Sequence, residues 1–283
     1  MSRLSMLLEE IPSVRLESRR PGQLECKTMV NLSRFKSLQY LEIDEVFPPL
    51  IQNLRDKVGP RLVQLICLNS GVTTLRDLLV NKPSGDEDAE VEQPSDWREL
   101  NVLDCSHNQI VEIDASLHAL VNVRRVALAH NLIRKIENLD HCIKLGLLDL
   151  GFNKIASVQD IHFVLGGLKV LILCNNQIKT TSSLDKLYSL EKLDLSNNAI
   201  DDPDEIKRLS ELPLLVYLNT LGNPACIRNR TRASSREECY RHYRREIVAH
   251  FITERSDIND RLKVFDEQPV SEEEIHKALQ AKR

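Results

Sequence analysis

The residues whose types and spacing could do chemistry are few. His107 and His130 stand 23 positions apart, each directly before an asparagine, in SHNQI and AHNLI. Two imidazoles set about 5 Å apart, the spacing of neighbouring strands, could begin a metal site. Zinc would need two further ligands, and the next position at that period is Phe152, which is not a ligand type. The expectation is a stacked surface pair and no metal. There is no Gly-rich phosphate loop, no GxSxG and no HExxH, so phosphoryl transfer, serine hydrolysis and zinc proteolysis lack their residues. No catalytic residue, cofactor or small-molecule substrate is expected.

The elements that position these histidines form a ladder of near-identical units. It runs LNVLDCSHNQI from Leu100, VRRVALAHNLI from Val123, LGLLDLGFNKI from Leu145, LKVLILCNNQI from Leu168, LEKLDLSNNAI from Leu190 and a degenerate LVYLNTLGNPA from Leu215. An asparagine marks every unit, at Asn108, Asn131, Asn153, Asn176, Asn198 and Asn223, in steps of 23, 22, 23, 22 and 25. This is the pattern of a leucine-rich repeat, an α/β solenoid with a curved parallel sheet on its concave face and short helices or turns on its convex face. LxxLxL alternates along a short strand, so the leucines point inward and the residues between them outward. Each asparagine is expected to turn inward and bridge the backbone of its own turn and the next.

A binding site then falls to the outward strand positions. Leu147, Val170 and Ile172 form an apolar centre, rimmed by Arg125, Asp149, Lys192 and Asp194, with Phe152 and Tyr217 on its borders. An apolar core inside a charged rim is the layout of a protein-interaction surface. A second candidate is the arginine-rich stretch Arg228, Arg230, Arg232, Arg236, Arg241, Arg244 and Arg245, which would suit an anionic surface such as a phosphoinositide membrane or RNA. The net charge of −4 gives no case for wholesale nucleic-acid binding.

Seven cysteines occur with no CxxC pair, and Cys67 and Cys105 take leucine positions as small buried hydrophobes. That usage, with no signal peptide and no membrane-length apolar run, points to the cytoplasm. Peripheral membrane association stays open.

In chain order, residues 1–34 are expected as an amino-terminal cap, with Leu4, Leu7, Leu8 and Ile11 on one helical face and Pro12 ending it. The repeats span 35–224, opening on irregular units in which Leu38, Leu41 and Ile43, then Leu62, Leu65 and Cys67, fill the strand positions and Ser70 stands for the asparagine. Residues 82–96 hold six acids, two prolines and one glycine, a composition that reads as a disordered loop. Residues 225–283 form a carboxy-terminal cap. Its first helix sets Tyr240, Tyr243, Ile247, Val248 and Phe251 on one face, and Ser271 with Glu274 forms a capping box before the last.

The stretch YRREIVAHF followed by VFDEQPVSEEE resembles the terminal cap of intracellular leucine-rich repeat proteins of the phosphatase-regulator type. FKSLQYLEI, RLVQLICLNSGVTTLRDLL and WRELNVLDCSHNQIVEIDASLHALVNVRRVALAHN resemble the amino-terminal half of the serine/threonine kinase eleven (liver kinase B) interacting protein and nischarin family, over about residues 35–265. The resemblance implies a non-catalytic scaffold whose partner is a serine/threonine kinase. Family members carry long carboxy-terminal extensions, and functions housed there are not carried over.

Overall fold

Each ladder unit becomes one short parallel strand followed by a return segment, because alternating leucines can be buried on one side only. The computed structural model describes residues 7–18, 29–80, 97–227, 235–254 and 262–281. The expected loop at 82–96 lies outside the described residues, as do Leu4, Arg228, Arg230 and Arg232. The chain divides into two compact units, residues 1–145 and 146–283.

In the first unit, strands β1 (Ser13–Glu17), β3 (Tyr40–Asp44), β5 (Gln64–Leu68), β6 (Val102–Asp104) and β7 (Arg125–Ala127) pair in that order, all parallel. A separate parallel pair joins β2 (Val30–Asn31) to β4 (Ile51–Gln52). Helix α1 (Arg76–Leu79) follows β5. Leu65, Leu103 and Val126 are fully buried, as are Cys67 and Cys105 in the next inward column. Burial pushes the Cys67 thiol up to about 12 and Cys105 well above its usual value, as expected of thiols used as hydrophobes. The amino-terminal segment brings an addition to the expected cap. Residues 7–9 are helical, but Ser13–Glu17 then adds a strand to the edge of β3.

In the second unit, β8 (Leu147–Asp149), β9 (Val170–Ile172), β10 (Lys192–Asp194), β11 (Tyr217–Asn219) and β12 (Val264–Phe265) are parallel, and β13 (Gln268–Pro269) turns back antiparallel on β12. Return segments are short 3-10 turns at Ile161–Phe163 and Leu184–Lys186 and a short helix α2 (Pro203–Arg208). Asp202 caps α2 by accepting from the Asp204 N–H, with Pro203 in its first turn. Helices α3 (Arg236–Glu254) and α4 (Glu272–Ala281) close the end.

The asparagines are all buried, and their bonding corrects one expectation. Asn176 Oδ1 accepts from the Ile155 N–H at 2.9 Å, while its Nδ2 donates to the Leu150 carbonyl at 2.9 Å and the Leu173 carbonyl at 3.1 Å. Asn108, Asn131, Asn198 and Asn223 repeat this arrangement. The bridge therefore runs to the preceding turn, not the next. The same Nδ2 also donates within its own turn, so each asparagine ties its own turn to the one before it. Ser70 stands in as expected, fully buried, accepting from the Val46 N–H and donating to the Leu68 carbonyl.

Candidate functional site

Seven of the expected positions lie side by side on the outward face of the second unit. The registers place Leu147, Val170, Lys192 and Tyr217 in one row and Asp149, Ile172, Asp194 and Asn219 in the next. Arg125 is exposed at the same strand position in the first unit. Leu147, Val170 and Ile172 are half-buried rather than exposed, because neighbours one strand spacing away cover much of each side chain. The Lys192 ammonium sits 4.3 Å from the centre of the Tyr217 ring. Such a contact is worth about 0.5–1 kcal/mol at an exposed site and holds the ring in place. The Tyr217 hydroxyl is pushed up by burial and by Asp194, Glu267 and Asp266.

The two rim aspartates have a structural task that the sequence reading did not give them. Asp149 Oδ1 accepts from the Gly151 N–H at 3.0 Å and Asp194 Oδ1 from the Ser196 N–H at 2.9 Å, as Asp104 does for Ser106. A short side chain that accepts a backbone N–H two residues on turns the chain out of the strand. Gly151 leaves room for its neighbour, since a Cβ there would meet Cys174 Sγ at 2.9 Å and that side chain would have to shift.

Phe152 stands out. The residue before each ladder asparagine takes a left-handed backbone: His107 (φ 58), His130 (φ 55), Phe152 (φ 56), Asn175 (φ 55), Asn197 (φ 53) and Gly222 (φ 80). Asparagine, histidine and glycine tolerate that region, whereas a bulky aromatic there is an outlier. Phe152 is also 45% exposed. The stacking of His107 on His130, with centroids 4.1 Å apart and planes 12° apart, follows from the same backbone position.

The arginine-rich candidate is weakened by one correction. Arg244 is buried, donating to the Phe265 and Pro269 carbonyls and to both oxygens of Glu274. Its donors are committed to the cap and it does not face a ligand. Arg236, Arg241 and Arg245 are exposed. The groove beside Arg241 and Arg245 also carries Glu273 and Glu274, which oppose an anion. The cap itself is polar. Thr220 takes the inward position that Leu150, Leu173 and Leu195 hold in the preceding turns, and Asp266 Oδ1 accepts from its N–H and its hydroxyl. Tyr243 meets the Thr220 hydroxyl at 2.9 Å, and Tyr240 donates to Asp266 Oδ2. Tyr243, Ile247, Val248 and Phe251 are buried as expected, and Ser271 and Glu274 form the reciprocal capping box.

Among the described residues, one cluster has metal-ligand types close together, His118, Asp140 and His141. The sequence reading missed it. His118 and His141 are 23 apart, the same step as His107 and His130.

Parallel strands at this period, a leucine core and an asparagine bridging successive turns define a leucine-rich repeat protein, and the sequence model of the leucine rich repeat matches residues 143–200. More narrowly, the chain resembles serine/threonine-protein kinase 11-interacting protein of Gallus gallus, 30% identical over 137 residues. That match takes in 48% of this chain and 11% of the relative's length. An internalin (InlF) from Listeria monocytogenes is similar over 77% of this chain and 83% of its own at 16% identity, with a TM-score of 0.38. The functional domain of InlJ from Listeria monocytogenes is similar over 80% of this chain and 46% of its own at 20% identity, with a TM-score of 0.49.

Proposed function

We propose that this protein is a non-catalytic scaffold that holds a protein partner on the outward sheet face of its second unit. The observation that carries the reading is Phe152. An aromatic side chain kept in the left-handed region, where other turns use asparagine, histidine or glycine, costs about 1–3 kcal/mol, and such strain is characteristic of ligand clamps. The same unit carries half-buried Leu147, Val170 and Ile172 and the Lys192–Tyr217 pair on its outward strand positions. An aromatic anchor with an apolar centre and a charged border has the anatomy of a binding hot spot.

The similar chicken protein is named for interaction with serine/threonine-protein kinase 11. The partner proposed here is therefore a serine/threonine kinase, met in the cytoplasm. The reading is tested by measuring binding of purified serine/threonine-protein kinase 11 to the intact chain, to Phe152→Asn and to Leu147→Glu/Ile172→Glu. Phe152→Asn relieves the backbone, so it should fold at least as well while losing binding more than about tenfold, the loss typical of a hot-spot residue. Unchanged binding by Phe152→Asn and by the double variant would sink the sheet face as the site. No binding by any form would leave the kinase without support as the partner.

A further inference from the structure

The three side chains His118, Asp140 and His141 converge in the first unit on the segments that return between strands. His118 lies in the 3-10 turn Ala115–Ala119, and Asp140 and His141 follow the buried Leu139 one repeat later. The fold aligns them because residues 22 and 23 positions apart occupy successive turns of the ladder. One ligand atom from each lies within 4.8 Å of the others.

Their contacts are incomplete as a hydrogen-bond network. His141 Nδ1 lies 2.8 Å from Asp140 Oδ2. His118 Nε2 is 3.2 Å from Asp140 Oδ1, yet it makes no hydrogen bond to any group although the atom is buried. The imidazoles of His118 and His141 pack with centroids 4.1 Å apart and planes tilted by 36°. A buried ring nitrogen that faces a carboxylate without bonding to it calls for another occupant. Zinc bonds to nitrogen and oxygen at about 2.0–2.2 Å, which sets tetrahedral ligands about 3.3–3.5 Å apart. The observed separations of 3.2 and 2.8 Å, to the two different oxygens of Asp140, are shorter than that edge, so an ion would spread the three ligands by a few tenths of an ångström.

We propose that His118, Asp140 and His141 bind a divalent transition-metal ion of the zinc type. Two imidazoles and a carboxylate form a three-ligand set of the kind zinc takes, with the remaining position open. Asp140 and His141 are half exposed, so that position faces solvent and accepts water or one donor from a partner. Cys142 contributes nothing, because its buried Sγ points to the Leu117 carbonyl at 3.7 Å. The ion ties two successive return segments together, a role separate from partner binding on the sheet face.

The test is titration of the purified full chain with Zn2+ alone, followed by calorimetry and native mass spectrometry, with Co2+ absorption as a reporter of tetrahedral geometry. One equivalent is expected, with affinity weakened more than about tenfold in His118→Ala, His141→Ala and the isosteric Asp140→Asn, since even outer-shell changes cost about 10–100-fold. His107→Ala/His130→Ala should bind as the intact chain does. Circular dichroism of each variant separates loss of a ligand from loss of fold. Absence of a stoichiometric site, or binding that survives all three ligand variants, would overturn the assignment.

Discussion

The interior turns of the second unit and its carboxy-terminal cap solve one problem with different chemistry. Both must satisfy buried backbone groups at a strand's end. The interior does so with neutral amides, Asn176 bridging Ile155, Leu150 and Leu173, and Asn198 bridging Ile178 and Leu173. At the last turn, the inward Thr220 is held by Asp266 and Tyr243, while Arg244 ties Phe265, Pro269 and Glu274 together. The next repeat that would have supplied neutral partners is replaced by side chains brought from 20 to 50 residues away. A repeating device is insensitive to pH, whereas a charged one is not.

The largest effect should come from Arg244→Met. It strands a partly buried Glu274 and two carbonyls, and breaking a buried pair by removing one partner costs about 3–5 kcal/mol. Chemical denaturation of intact and variant chains measures this, and a loss no larger than that of a surface arginine would mean that the cap is not held by this group. Next is Asn176→Ala, which should cost about 1–3 kcal/mol by leaving the Ile155 N–H and two carbonyls unpaired. The cost should be the same at every pH between about 4 and 8, since an amide does not titrate.

A pH series sharpens the contrast. Burial raises the Asp266 carboxyl above its usual range, only partly offset by its hydrogen bonds from Thr220 and Tyr240. The folded state then holds more protons than the unfolded one, so this group's contribution is present at low pH and is lost as pH rises through the raised value. Glu274 has the opposite sign. Burial pushes it up, but the Arg244 and Ser271 hydrogen bonds outweigh that and leave it below the usual range. Its contribution is lost as pH falls through the lowered value. Asp266→Asn should therefore remove the fall above the ordinary carboxylate range and keep the loss in acid. A pH–stability curve unchanged by it would contradict the charged-cap account.

The smallest effect is expected at Phe152→Asn, a net gain of no more than about 1 kcal/mol, because the ring's lost packing offsets most of the about 1–3 kcal/mol of relieved backbone strain. Thermal unfolding checks the sign. A loss would mean that the ring's packing outweighs its backbone strain.

Much of this was legible in the sequence. The period of 22 to 25, the inward leucines, Ser70 as a substitute asparagine, Cys67 and Cys105 as core, and the Ser271–Glu274 box follow from residue type and spacing. So did the rows that bring Leu147, Val170, Lys192 and Tyr217 together, because a fixed period places equivalent residues on neighbouring strands. Periodicity does not carry depth or direction. It could not tell that Leu147, Val170 and Ile172 are half covered, that Asp149 and Asp194 turn the chain, or that each asparagine reaches back to the preceding turn. Nor could it tell that Arg244 is spent inside the cap.

The two histidine pairs draw the line most sharply. His107 with His130 and His118 with His141 share one spacing, and the sequence by itself determined that each pair would meet. Only the tertiary structure decided that the first would be a solvent-facing stack on left-handed residues and the second would close on Asp140 with a buried nitrogen that makes no hydrogen bond. The repeat period sets which residues are neighbours, while backbone conformation and burial set which of their atoms face one another.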